Sequence, residues 1–229
     1  MSSPPFNCEK GPGCDLCTKR SPIFNQLHIT ELNELNTNRY EISFSKGELL
    51  CKQGSPMSHL LSLTQGYVAL IIENENKKQQ IIKICKPYAL VGSLGLFEDK
   101  RHHYTAVALN EVKVCFLENE KFLNVFYKSQ VLSASYMKQI SEETKLLYSR
   151  LNNLSHKTLQ QKIVIALEQL LEISDPIDYK IFDPKIISLM TNVARDNVVR
   201  VLKDWERAGL ISYSKSGMQI HGGLKALIS

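Results

Sequence analysis

Near the C-terminus, the run Ala194-Arg195-Asp196-Asn197-Val198-Val199-Arg200-Val201-Leu202-Lys203-Asp204-Trp205-Glu206-Arg207 combines forked cations, a carboxylate and a regular apolar repeat. Wound as a helix, it places Val198, Leu202 and Trp205 on one face, and Arg195, Asp196, Val199, Arg200 and Lys203 outward. That outward face suits double-stranded DNA. Arginine forks onto guanine O6 and N7 in the major groove, and a carboxylate accepts from cytosine N4. Lys203 and Arg207 reach toward phosphates, whose charge supplies affinity for any sequence. A solvated helix face with an i,i+4 Asp196–Arg200 pair is the competing reading. The other end of the chain holds a second chemical group: Cys8, Cys14 and Cys17, separated by five and then two residues around Gly11-Pro12-Gly13. This turn lets three thiolates converge, the donor chemistry of an iron–sulfur cluster or a structural zinc. The alternatives are a loose reduced arm, or exposed thiols open to oxidation.

The elements that must position these groups follow from period and punctuation. Asp183-Pro184-Lys185 is a helix start, a cap followed by proline at the first helical position. Thr191-Asn192-Val193 reads as a tight turn, and Ala208-Gly209 stops the second helix, giving a helix-turn-helix. Leu210–Tyr213 and Gly217–His221 then form a small hairpin, a wing. Upstream, a helix runs from Thr158 to Ile173 and is broken by Ser174-Asp175-Pro176. Before it, Met137, Ile140, Thr144, Leu147, Leu151 and Leu154 follow a 3-4-3-4-3 spacing, a heptad seam. Lys138, Glu142, Glu143, Lys145 and Arg150 fall on the opposite face. A long helix with one narrow stripe pairs with its twin, so a homodimer is expected, against the simpler reading of a helix packed on its own domain. From about Tyr40 to Leu117 short β-rich runs dominate: Glu48–Lys52, His59–Thr64, Tyr67–Glu73, Gln79–Cys85, Tyr104–Leu109 and Val112–Leu117. Asn74-Glu75-Asn76 lies between two of them as a hairpin turn. Such a series argues for an antiparallel barrel or roll. A short helix over Ile29–Asn36 begins near Thr30. The class is therefore α+β. The expected division is a Cys-containing arm over 1–24, a β-roll over 25–128, a dimerisation helix over 129–155 and a winged helix-turn-helix over 156–229.

Composition bounds the rest. The chain has 229 residues, 43% hydrophobic and 22% charged, which is globular rather than disordered or fibrous. No apolar stretch reaches the roughly 18 residues of a membrane span, and MSSPPFNCEK lacks the order of a secretory signal. A cytoplasmic protein without a membrane partner is expected. The net charge of +5 permits an anionic partner. Residues 156–229 carry only +2, from 10 Lys and Arg against 8 Asp and Glu, so the order of motifs, not charge, points to DNA. Six cysteines in a signal-less chain favour metal or redox use over disulfides. Cys51 and Cys85 are assigned to the core, and the pair His102-His103 to a solvated surface. There is no Gly-x-Gly-x-x-Gly, His-Glu-x-x-His or P-loop. Cys14-Asp15-Leu16-Cys17 lies in a Pro/Gly arm rather than a βαβ setting, so an enzyme is not expected. The competing function is a ligand-binding module whose C-terminal domain docks protein, and salt-dependent duplex binding separates the two.

A β-roll, a long dimer helix and a winged helix-turn-helix, in that order, resemble the CRP/FNR family of bacterial transcription regulators over roughly residues 22–229. Lys46-Gly47-Glu48-Leu49-Leu50 followed by Gly54 resembles the roll's first glycine turn. Val91-Gly92-Ser93-Leu94-Gly95-Leu96-Phe97 resembles the phosphate-binding cassette of the cyclic-nucleotide members, and Ala194–Leu202 resembles the recognition helix. The resemblance implies a cyclic-nucleotide-binding-like roll and an effector pocket at Gly92, Ser93, Leu94, His103, Tyr104 and Thr105. It also implies a reader built from Arg195, Asp196, Asn197, Val199, Arg200 and Lys203, RNA polymerase as a partner, and transcription regulation, with activation as the expected sign. Departures are equally specific. Ser93 stands where cyclic-AMP binders carry a ribose-binding Glu, and His102-His103-Tyr104-Thr105 stands where they carry Arg-Ser, with Arg101 displaced. Both argue against cyclic AMP as the effector. Asp196 replaces the recognition helix's Glu and is one methylene shorter. Oxygen-sensing members have an N-terminal cysteine trio and a fourth cysteine just before the dimer helix, and Cys115 sits at the matching place. The resemblance thus makes Cys8, Cys14, Cys17 and Cys115 the candidate ligands of an iron–sulfur cluster, although the trio's spacing here is inverted. The alternative for Cys115 is a small buried strand residue.

Overall fold

The computed structural model describes residues 17–173, 181–214, 217–221 and 223–227. By compactness the described chain forms two units. One runs up to Ile72 and includes Lys83–Thr144; the other comprises Glu73–Ile82 and the chain from Lys145 onward. The division falls inside the long helix, not at its end.

The first unit holds most of the β-roll; Glu73–Ile82, which include the end of one strand and the start of another, are counted with the second. The roll's strands are β1 (Tyr40–Phe44), β2 (Leu49–Cys51), β3 (His59–Gln65), β4 (Val68–Glu73), β5 (Gln79–Cys85), β6 (Leu90–Val91), β7 (Thr105–Ala108) and β8 (Val112–Glu118). They form two four-stranded sheets, ordered β1-β8-β3-β6 and β2-β7-β4-β5. Pairing is antiparallel, with Leu60 opposite Leu117 and Leu61 opposite Phe116. Central β3 is buried on both faces. Since side chains alternate along a strand, Leu60 joins one core and Leu61 and Leu63 line the other side. The Leu60 core also takes Cys115 and Leu117 of β8, Leu32 and Leu35 of α1 (Ile29–Asn36), Phe122 and Val125 of α2 (Asn119–Lys128), and Leu132 and Tyr136 of α3 (Gln130–His156). Ile23, Phe24 and Leu27 of the preceding segment are buried in the same cluster.

α1 covers Ile29–Asn36 as expected and is opened by a box at His28: the His28 ring accepts from the Thr30 N–H, and Glu31 accepts the His28 N–H at 2.7 Å. α2 lies in a stretch that the sequence reading left without an element. Ser129 alone separates it from α3, and the Ser129 Oγ accepts from the Leu132 N–H, starting the new helix.

In the second unit, α4 (Leu159–Ile173) opens with a reciprocal box. The Thr158 Oγ1 accepts the Gln161 N–H, and the Gln161 side chain accepts the Thr158 N–H. Its face of Ile163, Val164, Leu167 and Leu170 is buried. α5 (Pro184–Thr191) and α6 (Arg195–Arg207) follow, then β9 (Ile211–Ser214) paired antiparallel with β10 (Gly217–Ile220). The break expected at Ser174-Asp175-Pro176 lies outside the described residues.

Candidate nucleic-acid interface and sensor pocket

The two helices are joined by caps that the sequence specifies. Asp183 accepts from the Lys185 N–H at 2.7 Å, and Pro184 occupies the first position of α5. Such a cap is worth about 1 kcal/mol. At the other end Asn192 turns the chain in the left-handed region, φ 54°, a conformation that Asn tolerates better than most side chains. Ser188 donates to the Val193 carbonyl at 2.7 Å and ties α5 to the turn. α6 then buries Val198, Val201, Leu202 and Trp205. Arg195, Asp196, Arg200 and Lys203 are exposed, with Asn197 and Val199 half-buried beside them. The i,i+4 Asp196–Arg200 pair does not form. The ion pair on this helix is Arg207–Asp204, at 3.3 Å. The outward face thus presents two guanidiniums, an ammonium and a carboxylate without ion-pair partners among the described residues.

The interior of the roll is the opposite case. Gly92, Ser93 and Tyr104 come together there. The Gly92 N–H donates to the Tyr104 hydroxyl at 2.6 Å, and Tyr104 is 3% exposed. Burial pushes the phenol's pKa well above its usual range. The Ser93 carbonyl accepts from the Tyr136 hydroxyl of α3 at 3.0 Å. Gly92 has φ +102°, where a side chain would be strained, and a Cβ there would crowd the Met57 sulfur at 3.1 Å. The other three expected pocket residues go elsewhere. Leu94 is half exposed. The Thr105 hydroxyl accepts from the Gln53 N–H. His103 Nε2 lies 3.2 Å from the Asp99 carboxylate, whose pKa is held low by the Arg101 N–H and by that imidazole. Arg101 itself donates to the Gly54 carbonyl at 2.7 Å. The histidines are not a solvated pair: His102 is buried, and its Nδ1 has no hydrogen-bond partner.

Several polar contacts here were not legible. Lys83 of β5 pairs with Glu143 of α3 at 2.8 Å, and Gln139 donates to the same carboxylate. Burial works against the Lys83 charge, but Cys85 and Glu143 outweigh it and raise its pKa. Glu143 therefore belongs to an ion pair rather than to a solvated face. Cys85 is buried as expected, whereas Cys51 is half-buried. Desolvation pushes both thiols up to about 11, which leaves them unreactive at neutral pH.

Comparison with known proteins agrees with this geometry. The family model of the cyclic nucleotide-binding domain matches residues 41–129. The anaerobic regulatory protein of Bacillus subtilis is 24% identical over 81% of this chain and 80% of its own length. The cAMP-activated global transcriptional regulator CRP of Salmonella typhimurium is 23% identical over 76% of this chain and 85% of its own. Among solved structures, a transcriptional regulator assigned to the CRP/FNR family from Eubacterium rectale superposes with a TM-score of 0.74 at 14% identity, covering 90% of this chain and 97% of that one. The chain thus has the fold of CRP/FNR-family regulators, with a cyclic nucleotide-binding domain over residues 41–129.

In this fold α3 has two faces. Leu132 and Tyr136 are buried in the roll's core, and Ile140 packs against it, so one expected seam residue is occupied by its own unit. Thr144 donates to the Ile140 carbonyl. The outward stripe is Met137 (62% exposed), Leu147 (43%) and Leu151 (63%), flanked by Leu146 and Tyr148, which the heptad reading did not include. The side chain of Leu154 lies outside the described residues. None of the described helices is long and apolar enough to cross a membrane.

Cys8 and Cys14 also fall outside the described residues. Cys17 is half-buried and Cys115 is buried, with Arg39 Nη1 3.2 Å from its sulfur. Among the described residues no group of three or more His, Cys, Asp or Glu could hold a metal ion. They offer two of the four expected thiols, and Ile23, Phe24 and Leu27, a few residues beyond Cys17, share the core cluster of Cys115.

Proposed function

We propose that this chain is a CRP/FNR-family regulator that binds double-stranded DNA sequence-specifically as a homodimer, with RNA polymerase as its downstream partner, and acts in the cytoplasm without enzymatic activity. The observation that carries the reading is α6: its apolar face is used by the core, while Arg195, Asp196, Arg200 and Lys203 are exposed and have no ion-pair partner among the described residues. In the groove the arginines fork onto guanine, and Lys203 meets phosphate. The exposed stripe of α3 supports pairing with a second copy, which would set two recognition helices one helical turn of DNA apart.

The signal is proposed to be other than cyclic AMP. Tyr104 already accepts the Gly92 amide, and Ser93 offers no carboxylate to a ribose. The input proposed instead is the arm, with Cys8, Cys14, Cys17 and Cys115 as ligands of an iron–sulfur cluster. When bound, such a cluster would supply sensitivity to oxygen or nitric oxide. The burial of Ile23, Phe24 and Leu27 beside Cys115 supports an arm that returns to this face of β8.

One experiment tests the reading. Anaerobically prepared protein is assayed for iron and sulfide, then titrated with a pool-selected duplex at several salt concentrations, before and after exposure to air. Arg195→Ala and Arg200→Ala should each cost about 1–3 kcal/mol on the selected site and relax its sequence preference. Lys203→Ala should weaken binding on all sequences and lower the salt slope by about one. Parent-like binding by all three variants would remove α6 as the reader. Protein without iron, whose binding is indifferent to air, would remove the cluster.

A further inference from the structure

Arg150 was expected on the solvated side of α3, and it is not there. Its guanidinium is half-buried and forks between two main-chain carbonyls, Nη1 to Ile82 at 2.9 Å and Nη2 to Met190 at 2.8 Å. Among the described residues no carboxylate pairs with it. Burial without a counter-charge pulls its pKa down to about 10. Lys162, Gln169 and Thr191 line a small pocket beside it, again with no acid. A buried cation of this kind costs stability, and an apolar side chain of similar volume is often the more stable occupant. What it gains is geometric. Met190 lies in the last turn of α5, where carbonyls have no partner within the helix and carry the negative end of its dipole. The fork is therefore a C-terminal cap for α5, supplied from outside it by α3. One turn further on, Ser188 holds the Val193 carbonyl of the turn into α6.

We propose that Arg150 is a positioning residue of the reader: by gripping the last turn of α5 it sets the angle at which α6 meets a duplex. The inference rests on the DNA-binding reading above. An arginine suits the task because its planar fork reaches two acceptors at once, whereas lysine offers a point charge on a flexible stem.

The test uses the full-length chain. Arg150→Met and Arg150→Lys are compared with the parent in affinity for the parent's selected duplex, in affinity for a scrambled duplex, and in thermal unfolding. Loss of a charge-assisted bond corresponds to about a tenfold effect or more. Arg150→Met should lose about that much on the selected duplex, keep its scrambled-duplex affinity, and unfold at or above the parent's temperature. Arg150→Lys should fall between. A purely structural role would lower the unfolding temperature and both affinities together, and that result overturns the proposal. Should Arg150→Met not fold, Ser188→Ala, which loosens the same helix at its other tie, should lower the ratio of the two affinities; an unchanged ratio overturns the proposal. A parent that selects a duplex, with Arg150→Met keeping the ratio, overturns this inference alone. A parent that selects none overturns the DNA reading and this inference with it.

Discussion

The outer face of α6 and the interior of the roll contain similar chemistry in opposite states. On α6, Arg195, Arg200 and Lys203 are exposed and meet no acid, although Asp196 stands one turn from Arg200. In the roll, three donors near the cassette are matched from within: Gly92 by Tyr104, Tyr136 by the Ser93 carbonyl, Lys83 by Glu143. Unmatched exposed charge is inexpensive in water and available to a polyanion. A buried polar group must be matched, and once matched it has little left to offer a ligand. The difference assigns an external partner to the first region and an internal one to the second.

The largest expected effect lies in the helix that joins the two regions. Leu151→Asp or Leu147→Asp would place a carboxylate in the seam, where it has no partner. Light scattering at micromolar concentration should then show the monomer mass. Affinity for a two-half-site duplex should fall on the order of 10²–10⁴-fold, the contribution of linking two binding events. An unchanged dimer would remove the seam. The next effect probes the roll. Tyr104→Phe keeps the ring but leaves the Gly92 N–H without an acceptor, at a cost of about 1–3 kcal/mol read in denaturant unfolding. Titration of the parent with cyclic AMP should give no binding heat. Micromolar binding by the parent would mean that Tyr104 yields the amide to a ligand, and the contrast between the two regions would collapse.

The smallest effect is pH-dependent. Burial, and then the neighbouring His103, hold the pKa of His102 below its ordinary 6.5. Between that lowered value and 6.5 the unfolded chain binds the extra proton, so stability is lost as pH falls from about 6.5 through the folded value. Above 6.5 His102 makes no difference. His102→Gln should flatten this acid-side slope in unfolding curves recorded between neutral pH and pH 5. A slope unchanged by the substitution would assign it to other groups.

What was legible in the sequence tracks how local the governing physics is. α5 and α6 were readable because caps, proline and a 3.6-residue period act within a few residues: Asp183, Pro184, Val198 and Trp205 each do what their spacing implies. All strands of the roll but β1 and β6 were readable from β-rich runs and turn residues, with ends shifted by no more than a residue. α2 was missed although Phe122, Val125 and Phe126 stand at helical spacing, because no glycine or proline separates it from β8 and Ser129 alone separates it from α3. The fates of Tyr104, Glu143 and Arg150 were out of reach. Each depends on a partner at least 12 residues away, and outward-pointing polar residues on a helix look the same in sequence whether water or a distant carbonyl receives them. Ile140 shows the limit of the heptad: spacing names a stripe but not which neighbour covers it.

The exposed stripe of Met137, Leu147 and Leu151 also bears on gene dosage. On the dimer reading, the species that occupies an operator forms by a second-order encounter. While monomers predominate, doubling the amount of protein in a cell quadruples the amount of dimer. Promoter occupancy would then respond to expression level as a threshold rather than in proportion. A cell that keeps this regulator scarce would hold its genes insensitive to the signal until synthesis carried it past the dimerisation constant that those three side chains set.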